Sequence, residues 1–167
     1  MNGAAVHRRP PRTGARPLRK RHGTAHAGPP PPAAAAPRGG LASRTLAMPA
    51  DINPRDDIFG GWLMALMDGA GKMAATERAD GRVVTVAVSG IAFLQPVQVG
   101  DVVCCYTQLT HLGRTSLAPD VEVWVLRQGK SERTKVAEAE FTFVAVDEQG
   151  RPRPLPPDVT AMQHKRG

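Results

Sequence analysis

One carboxylate stands alone in an apolar segment. The stretch GGWLMALMDGAG, residues 60–71, is apolar on every helical face except at Asp68. An ionised carboxylate in apolar surroundings is costly unless it is paired and hydrogen-bonded. Asp68 is therefore either half exposed and paired with Lys72, four residues on and on the same helical face, or a buried functional acid. A third interpretation, use at a subunit contact, also stays open.

Two glycines, Gly60 and Gly61, open the helix that carries this acid. A helix start presents unpaired N–H groups and a partial positive charge. Without side chains there, a ligand carbonyl could approach as in an oxyanion hole, although glycines also serve close packing or a sharp turn into the helix. Asp68 follows two turns later, about 11 Å along the axis. Within one chain, the glycine amides and Asp68 are too far apart to contact the same ligand atom. A second copy of the helix in a dimer would bring an acid and a pair of amides together.

The elements that position these residues follow from the patterning of the chain. A helix is predicted over residues 60–79 and ends at Asp80-Gly81. The last strand alternates cleanly, with Phe141 and Phe143 on one face and Glu138 and Glu140 on the other. Strands are predicted at 41–48, 82–95, 101–111, 115–127 and 135–150. Short turns between successive strands predict antiparallel neighbours, so we expect one α+β domain over residues 41–156, with an antiparallel sheet curved around one helix.

Four stretches of this domain match a known pattern: TLAMPADIN followed by DDIFGGWLMALMD, then GRVVTVAVSGIAFLQPVQVGDVVCCY, EVWV and FTFVAVDEQGRPRPLP. Over about residues 44–156 the chain resembles the hotdog-fold acyl-CoA thioesterases, specifically the small bacterial broad-specificity acyl-CoA hydrolases. The resemblance implies a central helix wrapped by a five- to six-stranded antiparallel sheet. It also implies side-by-side homodimers with a continuous sheet, active sites at the dimer interface, and hexamers built from three dimers.

The resemblance assigns roles to particular residues. Asp68 is the catalytic carboxylate, and the amide of Gly61, with Gly60 beside it, polarises the thioester carbonyl. Asn53 in the preceding loop is a supporting site residue, and Thr85 on the second strand faces the substrate. Asp68 would act as a general base on water or as a nucleophile, and the sequence leaves both routes open.

The phosphates of coenzyme A require cations, and we take Arg82 and Arg114 as the first candidates, with Arg133 and Lys135 behind them. Coenzyme A belongs to the substrate, and we expect neither a separate cofactor nor a metal. No G-x-S-x-G motif points to a serine hydrolase.

Two departures from the family pattern bear on the substrate rather than on the chemistry. Asp56 stands where the family often has glycine before the helix. Pro119 interrupts the fourth strand, and because proline lacks an N–H we expect a bulge or an edge there.

Charge and composition separate the domain from its ends. Residues 1–50 hold nine Lys or Arg and no acid, whereas the remainder holds thirteen basic and fifteen acidic residues. The basic, Pro/Ala/Arg-rich segment 1–40 is predicted to be disordered, as a low-complexity extension, a transit peptide or a weak contact with nucleic acid or acidic lipid. The folded part gives no reason to expect nucleic-acid binding. Residues 157–167 are predicted to fray.

Location is inferred from what the chain lacks. No apolar run is long enough for a membrane span. Cys104 and Cys105 are adjacent, which predicts buried, reduced thiols in a cytoplasmic protein.

Two rival functions remain. Hotdog dehydratases that act on acyl-carrier-protein substrates pair a histidine with an acid, and His111, like the four histidines in the terminal segments, is poorly placed for that. A non-enzymatic acyl-CoA sensor is the other rival, although the tail shows no helix-turn-helix pattern and Asp68 is retained.

Overall fold

A computed structural model describes residues 36–55 and 57–157 of the chain. One helix lies against one sheet, in the order predicted. The predictions for residues 1–35, Asp56 and residues 158–167 fall outside the described residues. The elements are β1 (Gly40–Leu46), a 3-10 turn (Pro49–Asp51), α1 (Gly60–Ala79), β2 (Val83–Phe93), β3 (Val102–Leu112), β4 (Ser116–Leu126) and β5 (Arg133–Ala145).

The five strands form one sheet in the order β1-β3-β4-β5-β2, and every neighbouring pair is antiparallel. This confirms the predicted antiparallel sheet around one helix, but the expectation that successive strands are neighbours was wrong for β2 and β3. The connection over residues 94–101 is too long for a tight hairpin turn, so it does not force the two strands together. The connection instead crosses to the other edge of the sheet. Two backbone hydrogen bonds hold it in place: the carbonyl of Val97 accepts one from the amide of Ile58 (2.9 Å), and the carbonyl of Asp101 accepts one from the amide of Ala47 (3.0 Å).

The helix buries one face against the middle of the sheet. Its buried residues are Leu63, Met67, Ala70, Gly71, Ala75 and Ala79. A Cβ at Gly71 would stand only 3.0 Å from the ring of Phe143, so glycine lets the helix lie directly on β5. Phe141 and Phe143 stack with centroids 6.1 Å apart, and the alternating pattern predicted for this strand is confirmed.

The predicted irregularity at Pro119 takes a different form. Pro119 lies in β4, an interior strand, and the bulge occurs in its neighbour β3 between Leu109 and His111. The hydroxyl of Thr110, the extra residue, donates to the carbonyl of Ala118 (2.8 Å). The sheet therefore accommodates the missing N–H by displacing the adjacent strand.

The helix α1 ends at Asp80-Gly81, as the sequence predicts. Asp80 adopts the left-handed conformation (φ 47°), and Gly81 donates to the carbonyl of Thr76 (3.3 Å). The guanidinium of Arg153 donates to the carbonyl of Ala79 (2.9 Å) and so caps the last turn. Among the described residues, no helix is long and apolar enough to span a membrane.

Candidate active site

Asp68 faces a strand residue. The hydroxyl of Thr85, on β2, donates to Asp68 Oδ1 at 2.7 Å. No ion pair among the described residues joins Asp68 to Lys72, and Asp68 is half-buried in the single chain. A hydroxyl fixes one oxygen of the carboxylate while its other oxygen stays available, which suits a base or a nucleophile better than a buried ion pair does.

The start of α1 offers two free amides. Trp62 and Leu63 donate to the carbonyl of Phe59 (3.0 and 3.3 Å), whereas the N–H groups of Gly60 and Gly61 meet no acceptor among the described residues. A Cβ at Gly61 would stand 2.3 Å from the ring of Phe59. Glycine therefore allows that ring to lie over the first turn, and the two amides remain available to an incoming oxygen.

Asn53 organises the loop that leads into this turn. Its side-chain oxygen accepts hydrogen bonds from the backbone amides of Arg55 (2.8 Å) and Asp57 (3.3 Å). The backbone N–H of Asn53 donates to the carbonyl of Asp57 (2.7 Å). Side-chain bonds of this kind define a turn. Asn53 thus acts in the single chain as a support for the helix start.

A cleft of about 270 Å³ opens beside these amides. Its lining includes Gly60, Leu63, Phe93, Pro96 and Val97. Apolar walls with a few convergent polar groups are typical of small-molecule sites, and this largely apolar cleft opens beside the two amides.

The acid and the amides do not meet within one chain. Asp68 lies two turns beyond Gly61, about 11 Å along the axis. Asp68 contacts Thr85 of the edge strand β2, and Gly60 lies near Phe93 at the end of the same strand. Val86 and Val88 on that strand are 55% and 38% exposed. Within the single chain the acid and the amides therefore stay apart, and the edge strand beside them carries exposed apolar residues.

The candidate cations lie elsewhere. The carbonyl of Arg82 accepts the amide of Val146 (3.0 Å), and that of Arg114 accepts the amide of Leu155 (2.9 Å). These bonds place both residues at the end of the molecule where α1 finishes, opposite Gly60 of the same chain. Arg133 lies over the ring of Tyr106, 5.9 Å from its centroid.

Lys135 belongs to a polar cluster on the sheet face opposite the helix, centred on Glu122, which is 3% exposed. Glu122 accepts hydrogen bonds from Arg38, from Trp124 Nε1 (2.9 Å) and from Lys135 Nζ (3.0 Å). Burial by itself raises the pKa of Glu122, but these donors outweigh burial and lower it to about 2. The cluster holds strands together and lies on the face away from Asp68.

One long helix packed against a five-stranded antiparallel sheet defines the hotdog fold. The thioesterase superfamily model matches residues 56–132. The acyl-CoA thioester hydrolase YciA of Salmonella typhimurium is 55% identical over 123 residues, which cover 72% of this chain and 92% of that protein. Its Escherichia coli counterpart is 54% identical, with 72% and 93% covered. The chain therefore belongs to the YciA family of acyl-CoA thioester hydrolases.

Solved structures agree with this assignment. A hexameric thioesterase from Yersinia pestis is 55% identical with a TM-score of 0.70, covering 72% of this chain and 98% of that one. A hexameric broad-specificity acyl-coenzyme A thioesterase is 47% identical with a TM-score of 0.72, covering 77% and 100%.

Proposed function

We propose that this protein hydrolyses the thioester of acyl-CoA to a free carboxylic acid and coenzyme A. The observation that carries the proposal is the Asp68–Thr85 hydrogen bond. It orients a carboxylate on a largely apolar helix whose first two amides meet no acceptor in the part of the chain that the structure describes. Relatives of about 55% identity are acyl-CoA thioester hydrolases, which supports the same substrate class here.

The amides of Gly61 and Gly60 donate hydrogen bonds to the carbonyl oxygen of the thioester as it gains negative charge, which lowers the barrier to the tetrahedral intermediate. Asp68 either removes a proton from the attacking water or attacks the carbonyl carbon itself, forming a mixed anhydride that water then cleaves. In both routes the C–S bond breaks with its electrons on sulfur, and the thiolate takes up a proton as coenzyme A leaves. Label in the Asp68 side chain after single-turnover hydrolysis in isotopically labelled water would establish the nucleophilic route, because general-base catalysis places water oxygen only in the carboxylic acid product.

The working unit in this proposal is a homodimer joined through β2. The free edge of β2 and its exposed valines favour pairing with a second copy, which would extend the sheet and set Asp68 of one subunit near Gly61 of its partner. The relatives of known structure are hexameric, and we propose three such dimers here. The free thiols of Cys104 and Cys105 support a cytoplasmic location.

The proposal is tested by Asp68→Asn, measured by thiol release from butyryl-CoA and palmitoyl-CoA. Loss of the acid–base group should lower kcat by at least about 100-fold, while calorimetry still detects coenzyme A binding. Two substrates of different length also begin to define the acyl preference.

Asp80→Asn is the matched control, because asparagine tolerates the left-handed conformation of the helix cap and the same charge is removed from the same helix. It should retain turnover. Full activity of Asp68→Asn would refute the proposal, and binding without turnover by the unaltered protein would favour the sensor function.

A further inference from the structure

A second cleft lies on the face of the sheet that points away from the helix. Val103 belongs to the core on the helix side, so Val102, its neighbour along β3, points to the opposite face. Leu126 follows Val125 of the same core and points the same way. Leu46 pairs with Val102, and Val102 pairs with Leu126. These three side chains form one aliphatic row across β1, β3 and β4, and they line a cleft of about 420 Å³.

A β-turn brings two cations to this aliphatic row. The turn spans residues 127–130, and the amide of Lys130 closes it by donating to the carbonyl of Arg127 (3.0 Å). Gly129, with φ 76°, supplies the left-handed conformation that several turn types require. The Cα atoms of the first and last residues of a β-turn lie within about 7 Å of each other. Both cations consequently stand side by side in the lining of the same cleft.

One positive charge in the cleft has no partner. Arg127 faces the buried carboxylate of Asp101, whose Oδ2 is 3.8 Å from Arg127 Nε, and its Nη2 donates to the carbonyl of Pro96 (3.1 Å). Lys130 is exposed and forms no ion pair within the described part of the chain. No Asp or Glu is found among the described residues that line the cleft. A ligand with a single negative charge therefore matches this cleft.

The aliphatic row gives the same ligand an apolar part. Leu46 is 48% exposed, and Val102 and Leu126 are half-buried, so a hydrocarbon chain lying along the row would remove apolar surface from water. The row crosses three strands that are each about 4.8 Å apart, which suits an extended chain rather than a single methyl group. The volume of the cleft also falls within the range of small-molecule sites, about 300–1,000 Å³.

We infer that this cleft is a second ligand site, which takes an acyl chain that ends in a carboxylate. The chain lies along the aliphatic row, and Lys130 binds the carboxylate with Arg127 beside it, because hydrogen bonds between two charged groups are the strong ones. Free carboxylic acids have this chemistry, and anionic lipids share it. The inference does not rest on the proposed hydrolysis, since no residue of the row or the turn belongs to the proposed active site.

Calorimetry of the full chain with octanoate tests the site. Lys130→Gln removes the unpaired charge and should weaken octanoate binding roughly tenfold. Leu46→Ser removes part of the aliphatic row and should weaken it about fivefold. Octanol has a chain of the same length without the charge, and acetate has the charge without the chain. Each should bind to the unaltered protein at least about tenfold more weakly than octanoate.

Arg151→Gln is the matched control, because it removes one positive charge from a side chain that is 72% exposed and lies in the turn after β5. It should bind octanoate as the unaltered protein does. Equal octanoate binding by Arg151→Gln and by either Lys130→Gln or Leu46→Ser would overturn the inference. Octanol that binds as tightly as octanoate would overturn it as well.

Two further measurements separate other occupants of the cleft. Flotation with phosphatidylglycerol vesicles, in the absence of octanoate binding, would overturn the inference in favour of a lipid surface. A smaller assembly of Lys130→Gln or Leu46→Ser in size-exclusion chromatography would overturn it in favour of a contact between copies of this chain. Unchanged elution together with selective loss of octanoate binding would support the site. None of these measurements needs turnover, so failure of the proposed hydrolysis leaves the test intact.

Discussion

At the residue scale, the structure changes how Thr85 is understood. The resemblance made it a residue that faces the substrate, whereas its hydroxyl is within 2.7 Å of Asp68 Oδ1. A hydrogen bond to a charged carboxylate is stronger than a neutral one, and it fixes a side chain that would otherwise rotate. In the proposed mechanism, Thr85 is therefore a positioning residue that acts through Asp68.

Thr85→Val should lower kcat by about 10- to 100-fold, since a lost hydrogen bond to a charged group costs about 1.5–3 kcal/mol. Valine keeps the shape of threonine, so KM for acyl-CoA should change little. Steady-state kinetics with butyryl-CoA measures the two constants. Thr85→Ser keeps the hydroxyl and should recover most of kcat; a serine variant as slow as the valine variant would show that the methyl group matters instead.

At the scale of elements, Glu122 links three parts of the fold on the face away from the helix. It lies on β4, Lys135 lies on β5, and Arg38 precedes β1. Because removing one member of a buried charged group leaves the others unpaired, this cluster fixes how the chain enters the domain. Arg38, which takes part in this cluster, lies three residues before the predicted domain start at residue 41.

Glu122→Gln should destabilise the protein most near neutral pH. The pKa of Glu122 is lowered by folding, from 4.5 to about 2, so its contribution is complete above the unfolded value and is lost as pH falls from about 4.5 towards 2. This lowering of the pKa corresponds to a contribution of about 3 kcal/mol to the unfolding free energy. Urea unfolding at about pH 7 and pH 3 should show the difference between wild type and variant shrinking at acid pH.

Burial raises the pKa of Asp120, so its effect on the pH dependence of the unfolding free energy has the opposite sign. Asp120 is present in both wild type and variant, so its effect is common to the two proteins being compared. Glu148→Gln, at an exposed turn position, is the control and should leave the unfolding free energy unchanged. A difference for Glu122→Gln that does not vary with pH would contradict the account.

At the scale of the whole molecule, the proposed mechanism requires a second subunit, because Asp68 and Gly61 are separated within one chain. The helix is rigid, so the distance of about 11 Å along its axis cannot close within one chain. A two-fold dimer contains two equivalent interface sites. Each would take its acid from one subunit and its amides from the other.

Mixing two inactive variants tests this arrangement. Asp68→Asn removes the acid, and Gly61→Pro removes one amide in a helical turn whose backbone accepts proline, although its Cβ also displaces the Phe59 ring. The mixed dimer holds one site with both groups intact, so random pairing should restore about a quarter of wild-type activity. Denatured and refolded mixtures, assayed against each variant alone, give the measurement. Absence of recovery in mixtures that are shown to contain mixed dimers would place both groups in one chain.

The sequence by itself determined the features that local patterns encode. The apolar content of residues 60–79 and the Asp80-Gly81 helix end predicted the bounds of α1. The alternation of apolar and polar residues predicted the buried face of β5. Both are local signals, because burial along a helix or strand follows a repeat of a few residues. The motifs also gave the family, with Asp68 and Gly61 as its expected site residues. These predictions needed no knowledge of distant contacts.

Tertiary structure decided the rest. Asp68 is bonded to Thr85, seventeen residues away on β2, whereas helical spacing suggested only Lys72. The order of β2 and β3 depended on how the 94–101 connection crosses the molecule, and Arg127 and Lys130 share a cleft only because β4 ends beside it. Such pairings arise from packing between remote segments, and no local repeat in the chain records them.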